Sequence, residues 1–118
     1  MTTIAATLDI PADHVIDAAI CYLLPGGVNP HTHLGSPRKG TIAVGSDADF
    51  VVFDPAGSTT IRAATHHMNV DYSLYEGGRL TGAVRTVIAA GRAIVDSGVF
   101  TGKPGAGRYL ARDASGQL

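Results

Sequence analysis

The chain is poor in most features that announce a chemistry. Cys21 is its only cysteine. That excludes an internal disulfide and a cysteine-based zinc site, and it fits a reducing compartment. No charge excess is present either: 9 Lys and Arg stand against 10 Asp and Glu, a formal charge of -1. With the basic residues dispersed, nothing recommends nucleic acid or an acidic membrane as a partner. No apolar run approaches the roughly 20 residues that span a bilayer. The opening MTTIAATLDIPAD has no basic start and carries Asp9 and Asp13, unlike a signal peptide. The expected location is therefore cytoplasmic. No internal repeat and no stretch with helical period over three turns is found.

What remains is a grammar of short strands and turns. At 118 residues, 45% hydrophobic and 16% charged, the chain suits one globular domain of modest size. Residues 1–13 read as a loosely ordered leader. His14–Asp17 (HVID) and Ile20–Leu24 (ICYLL) read as strands, with Cys21 a buried, inert thiol. Pro25-Gly26-Gly27 stops that run. Val28–Leu34 is expected to be extended, and Thr41–Val44 (TIAV) to form a short strand. Phe50–Phe53 (FVVF), apolar on both faces, is expected to be an inner strand that Asp54–Gly57 ends. Thr59–Arg62 reads as a further strand. Leu80–Ala90, Ala93–Asp96 and Val99–Thr101 follow as a meander, with reversals at Gly91-Arg92 and Ser97-Gly98. Arg108–Leu110 is expected to dock, and the tail after Arg112 to be free.

The residues with chemical potential are few. Residues two apart on a strand face the same way, so His31 and His33 project together. Two imidazoles on one face can share a metal, or can be polar residues on a solvated strand. Catalytic zinc generally takes three protein ligands and a water. His66 and His67 are adjacent and would face opposite ways on a strand, which favours packing and loop hydrogen bonds over a shared metal. They belong to a long polar and aromatic stretch, 63–79, a candidate for function or contact. Asp47 and Asp49 read as turn formers, not a calcium loop. Arg38-Lys39-Gly40 reads as a solvated polar turn. Gly102–Gly107 (GKPGAG) lacks the Walker order and reads as a loop.

Two sets of segments resemble one family. VIDAAICYLLPGGVNPHTHL (15–34) resembles the entry to the first barrel strand of cyclic amidohydrolases. SPRKGTIAVGSDADFVVFDP (36–55), ATHHMNVDYSLYEG (64–77) and GKPGAGRYL (102–110) resemble the C-terminal portion of dihydropyrimidinases and D-hydantoinases. The resemblance implies a composite β-sandwich of the kind that accompanies a metal-bearing (β/α)8 barrel. Such a barrel takes roughly 250 residues, and here the two flanks meet at Leu34-Gly35-Ser36. By the resemblance, His31 and His33 match the first pair of metal ligands. The remaining ligands and the aspartate base belong to barrel strands without counterpart here. Lys39 and Lys103 lie in sandwich motifs and do not inherit the bridging-lysine role. Ile20 stands where the family usually has Gly, and Asn29 where Asp is common.

The expectation is thus an all-β fold, a sandwich or partial sandwich of short strands. The domain is placed at 14–112, with 14–34 as the N-terminal flank, 36–112 as the C-terminal flank and 113–118 as a tail. The function expected first is a non-catalytic sandwich module that assembles as a homo-oligomer through its exposed surface. A cyclic-amide hydrolase completed by another chain, and a small metal-binding protein using His31 and His33 with His66 or His67, are the alternatives. The resemblance implies zinc, but an incomplete pair of histidines is not expected to bind it tightly. No catalytic residue is assigned.

Overall fold

The computed structural model describes residues 1, 3–5, 7–27, 38–67 and 69–109. Five strands form one antiparallel sheet in chain order: β1 (Tyr22–Pro25), β2 (Phe50–Thr60), β3 (Arg79–Ala89), β4 (Arg92–Asp96) and β5 (Val99–Phe100). A single 3-10 turn, Ala63–Thr65, is the one helical element among the described residues. The all-β expectation holds, and the described layer is one antiparallel sheet.

The meander follows from turn chemistry. Both tight hairpins, Ala90-Gly91 and Ser97-Gly98, place two successive residues at positive φ. Two-residue loops of that hand match the twist of the strands they join. β2 is longer than its sequence suggests. Asp54–Gly57 does not end it but forms a bulge, between the pairings Asp54↔Ala83 and Ser58↔Thr81. The Asp54 carboxylate accepts the amides of Ala56 (2.9 Å) and Gly57 (3.1 Å). The bulge also tolerates Pro55, which has no N–H for a ladder.

Pairing sorts the side chains by face. Leu23, Val52 and Thr86 lie opposite one another on one face. Val52 and Thr86 are only 3% and 4% exposed. On the other face one row crosses all five strands: Leu24, Val51, Val87, Val95 and Phe100. Beside it the Phe53 ring lies over Gly82, where a Cβ would clash with the ring. Val52 is the one buried hydrophobic side chain among the described residues. Sheet pairing, not a closed core, therefore organises what is described.

Several expectations fail for identifiable reasons. His14–Asp17 is not a strand. It joins neither edge of the sheet and borders the Val52 face instead. Thr41–Val44 leads into a turn, in which the Ser46 amide donates to Ala43 O (3.1 Å). The β3–β4 reversal sits one residue earlier than expected, at Ala90-Gly91. Arg108 and Tyr109 do not dock but are exposed. Cys21 is half-buried, not buried, with Sγ 3.9 Å from Arg85 Nη1. β1 begins only at Tyr22 because a turn precedes it: the Cys21 amide donates to Ala18 O (3.0 Å), and Ile20 has φ 59°.

One carboxylate ties the start of the sheet together. Asp49 accepts the Ala90 amide through Oδ1 (2.7 Å) and is ion-paired with Lys39 through Oδ2. Its carbonyl takes the amide of Gly26, just beyond β1 (2.9 Å). Gly91 donates to the neighbouring Ala48 O (2.9 Å). Thus the end of β1, the start of β2 and the β3–β4 turn meet at one residue. Lys39 also pairs with Asp47 (3.0 Å), which takes Arg38 (2.6 Å). Lys39 is therefore half-buried in a charge cluster, not part of a solvated turn. The Asp49 bond, then the Asp47 bond, hold the Lys39 ammonium above its ordinary value against desolvation. Lys39 in turn lowers Asp47. Burial opposes ionisation of Asp49, yet the Ala90 amide and Lys39 together keep it below the usual range.

Two measurements check this description. Ile20 is a β-branched residue in the left-handed region, where glycine is unstrained. Ile20→Gly is expected to raise stability by about 1 kcal/mol, read from the urea midpoint. Asp49→Ala removes the acceptor of the Ala90 amide and the partner of Lys39. A loss of about 2 kcal/mol is expected, and a smaller one for Asp49→Asn, whose amide oxygen can still accept from Ala90. Because the folded Asp49 value is lowered, its contribution is complete above the ordinary 3.8 and is lost as pH falls below that through the folded value. The stability gap between the parent chain and Asp49→Asn is therefore expected to narrow in that acid window.

Candidate functional site

The sequence points to His31 and His33, and both lie outside the described residues. The other histidines of interest are described, and they do not converge. His66 closes the 3-10 turn by donating its amide to Ala63 O (3.2 Å). Its ring Nδ1 is buried and has no hydrogen-bond partner among the described residues. His67, at φ 52°, turns away and stacks on Phe100, with ring centroids 4.6 Å apart and planes at 24°. The expectation of packing over metal sharing fits His67, whose partner is an aromatic ring. Among the described residues no three His, Cys, Asp or Glu side chains are grouped so as to hold a metal. The described part therefore offers no ligand set for the zinc that the resemblance implies, and no chemical step through a metal follows from it.

The 61–78 excursion between β2 and β3 is a closed loop. Ile61 and Gly78 continue the ladder, with the Ile61 amide donating to Gly78 O and the Gly77 amide to Ile61 O (both 2.9 Å). Glu76 then reaches across to accept the Ala63 amide (2.7 Å). The loop carries Tyr72, Leu74 and Tyr75 to the surface, all strongly exposed. It also brings His67 to β5. Exposed aromatic and apolar side chains on a braced loop suit contact with another surface better than acid–base work. The Gly102–Gly107 stretch is a loop, as its lack of Walker order suggests, turning at Pro104-Gly105.

One cleft is polar. His14, Asp17, Val52, Arg85, Thr86 and Asp96 border a space of about 280 Å³ on the Val52 face. Asp17 spends one carboxylate oxygen on the Ala19 amide (2.8 Å). His14 and Asp17 are exposed, as the sequence suggests, but they edge a cleft instead of ending a strand. Sequence reasoning missed this grouping, since Arg85 and Asp96 join it only through the sheet register. No helix among the described residues is long and apolar enough to cross a membrane.

Comparison with known proteins accounts for the sheet. No family model matches the chain. It is 55% identical over 76 residues to the D-hydantoinase of Streptomyces coelicolor, covering 64% of this chain and 16% of that protein. It is 50% identical over 82 residues to the D-hydantoinase of Geobacillus stearothermophilus, covering 70% and 17%. The solved D-hydantoinase (dihydropyrimidinase) from a Thermus species superposes with a TM-score of 0.60 at 49% identity, over 64% of this chain and 17% of that one. The chain thus spans about a sixth of the length of the curated relatives it matches. Sequence and backbone agree over the matched part: these residues are similar to a β-sheet segment of D-hydantoinases and dihydropyrimidinases.

Proposed function

We propose that these 118 residues act through association with protein, and not as a self-sufficient cyclic-amide hydrolase. The observation that carries the reading is the apolar row Leu24–Val51–Val87–Val95–Phe100, which crosses the whole sheet without a charged residue. Apolar surface of that continuity seeks a covering partner. The relatives' names imply ring opening of hydantoins or dihydropyrimidines, and that chemistry needs a metal-activated water and a proton shuttle. A barrel able to hold such a centre takes roughly 250 residues, more than this chain contains. His31 and His33 are read as inherited ligands whose remaining partners are absent from the sequence. The module works as a homo-oligomer in the cytoplasm, with neither nucleic acid nor membrane as a partner.

The test is turnover. Purified chain, supplied with zinc or manganese, is incubated with dihydrouracil or hydantoin. Ring opening no faster than with the metal salt alone is expected. Turnover that disappears in His31→Ala would overturn the reading and restore a hydrolase.

A further inference from the structure

We propose that the cleft on the Val52 face binds a small basic amino acid, held by Arg85 through its carboxylate and by Asp17 and Asp96 through its ammonium groups. The inference goes beyond the association reading above and does not depend on it. An irregularity in the sheet builds the cleft. Between the pairs Val52↔Thr86 and Phe53↔Val84 the register shifts, so Arg85 has no partner on β2. In a regular strand Arg85 and Thr86 would point to opposite faces, yet both border the cleft. A bulge re-aims a side chain in this way. The Gly98 amide donates to the Arg85 carbonyl (3.0 Å), which anchors the bulge to the β4–β5 turn. On β4, Asp96 shares the face of Thr86, because each lies next to the paired Val87 and Val95. The His14–Asp17 segment supplies the rest of the border.

The charges at this border are not used up within the fold. Among the described residues the ion pairs are those of Arg38 and Lys39 with Asp47 and Asp49, and none involves Arg85. The described hydrogen-bond contact of the Arg85 guanidinium is the Cys21 sulfur at 3.9 Å, a weak acceptor. Asp17 accepts the Ala19 amide through Oδ1 (2.8 Å), and Asp96 accepts the Ser97 hydroxyl through Oδ1 (3.2 Å). Each carboxylate keeps its Oδ2 without a partner among the described residues. A simple anion at Arg85 would meet two carboxylates, and a simple cation at those carboxylates would meet the guanidinium. One guanidinium and two carboxylates are matched by one carboxylate and two ammonium groups, the charge set of lysine or ornithine. A planar guanidinium takes a carboxylate through two parallel hydrogen bonds. The space of about 280 Å³ lies just below the ~300–1,000 Å³ of sites for drug-sized molecules, which suits a ligand of single amino-acid size.

The test titrates the isotope-labelled full chain with L-lysine at low salt and follows the backbone amides by nuclear magnetic resonance. Saturable shifts are expected at the amides of Asp17, Arg85, Thr86 and Ser97. Acetate and putrescine each carry one half of the charge set and are expected to bind at least about tenfold more weakly. Arg85→Met and Asp96→Asn are each expected to weaken L-lysine binding about tenfold, with the amide spectrum of the sheet retained. Arg92→Gln removes an exposed arginine of β4 that does not border the cleft, and is expected to leave binding unchanged. Acetate that binds as tightly as L-lysine would show a plain anion site, and putrescine that does so a plain cation site. Either result overturns the proposal. So does the absence of saturable shifts at the cleft amides, or L-lysine binding that survives both substitutions. The comparison of ligands needs no variant, so it decides the matter even where a substitution disturbs folding.

Discussion

A β-sheet has two faces, and a stable domain must cover at least one of them with apolar material. That constraint governs this chain. Its five strands pair in simple order. Yet Val52 is the one hydrophobic side chain that the described residues bury. Backbone hydrogen bonds organise such a sheet, but each contributes modestly because water competes for both partners. The larger share of folding free energy comes from apolar burial, and here much of the apolar surface still faces outward.

Local devices hold the sheet in one register meanwhile. Asp49 joins β1, β2 and the β3–β4 turn through its side chain and carbonyl. The Asp54 bulge lets β2 run its full length. Phe53 over Gly82 and Phe100 over Gly102 place rings where side chains are missing. His67 stacked on Phe100 ties the long loop to the last strand. None of these devices supplies a second layer. Ile20 shows the opposite tendency: it sits in a backbone conformation suited to glycine.

Much of this fold could be read from the residues. Alternation and β-branching located β3, β4 and β5, and glycine gave the tight turn at 97–98 and, to within one residue, the one at 90–91. His14–Asp17 and Thr41–Val44 have strand-like composition, but whether a segment becomes a strand depends on the tertiary partner it meets, which composition does not encode. Asp54–Gly57 looks like a strand terminator because Pro and Gly so often are, whereas its carboxylate converts it into a bulge. The charge cluster was hidden for a similar reason: Lys39 and Asp49 were visible only as members of two separate turns. Of the candidate site, His31 and His33 lie outside the described residues, while His67 is stacked on Phe100 and His66 joins no group of ligands among the described residues.

The similarity to one segment of D-hydantoinases and the thin core of the described sheet both support the proposal that this sheet is covered by association. If the fold depends on that association, stability must depend on protein concentration, because only the assembled state is fully buried. The direct measurement is the thermal unfolding midpoint of the parent chain over a hundredfold range of concentration. A midpoint that climbs steadily with concentration is the predicted result. A midpoint that stays constant, with cooperative unfolding throughout, would show that one copy covers its own sheet and would contradict the central claim.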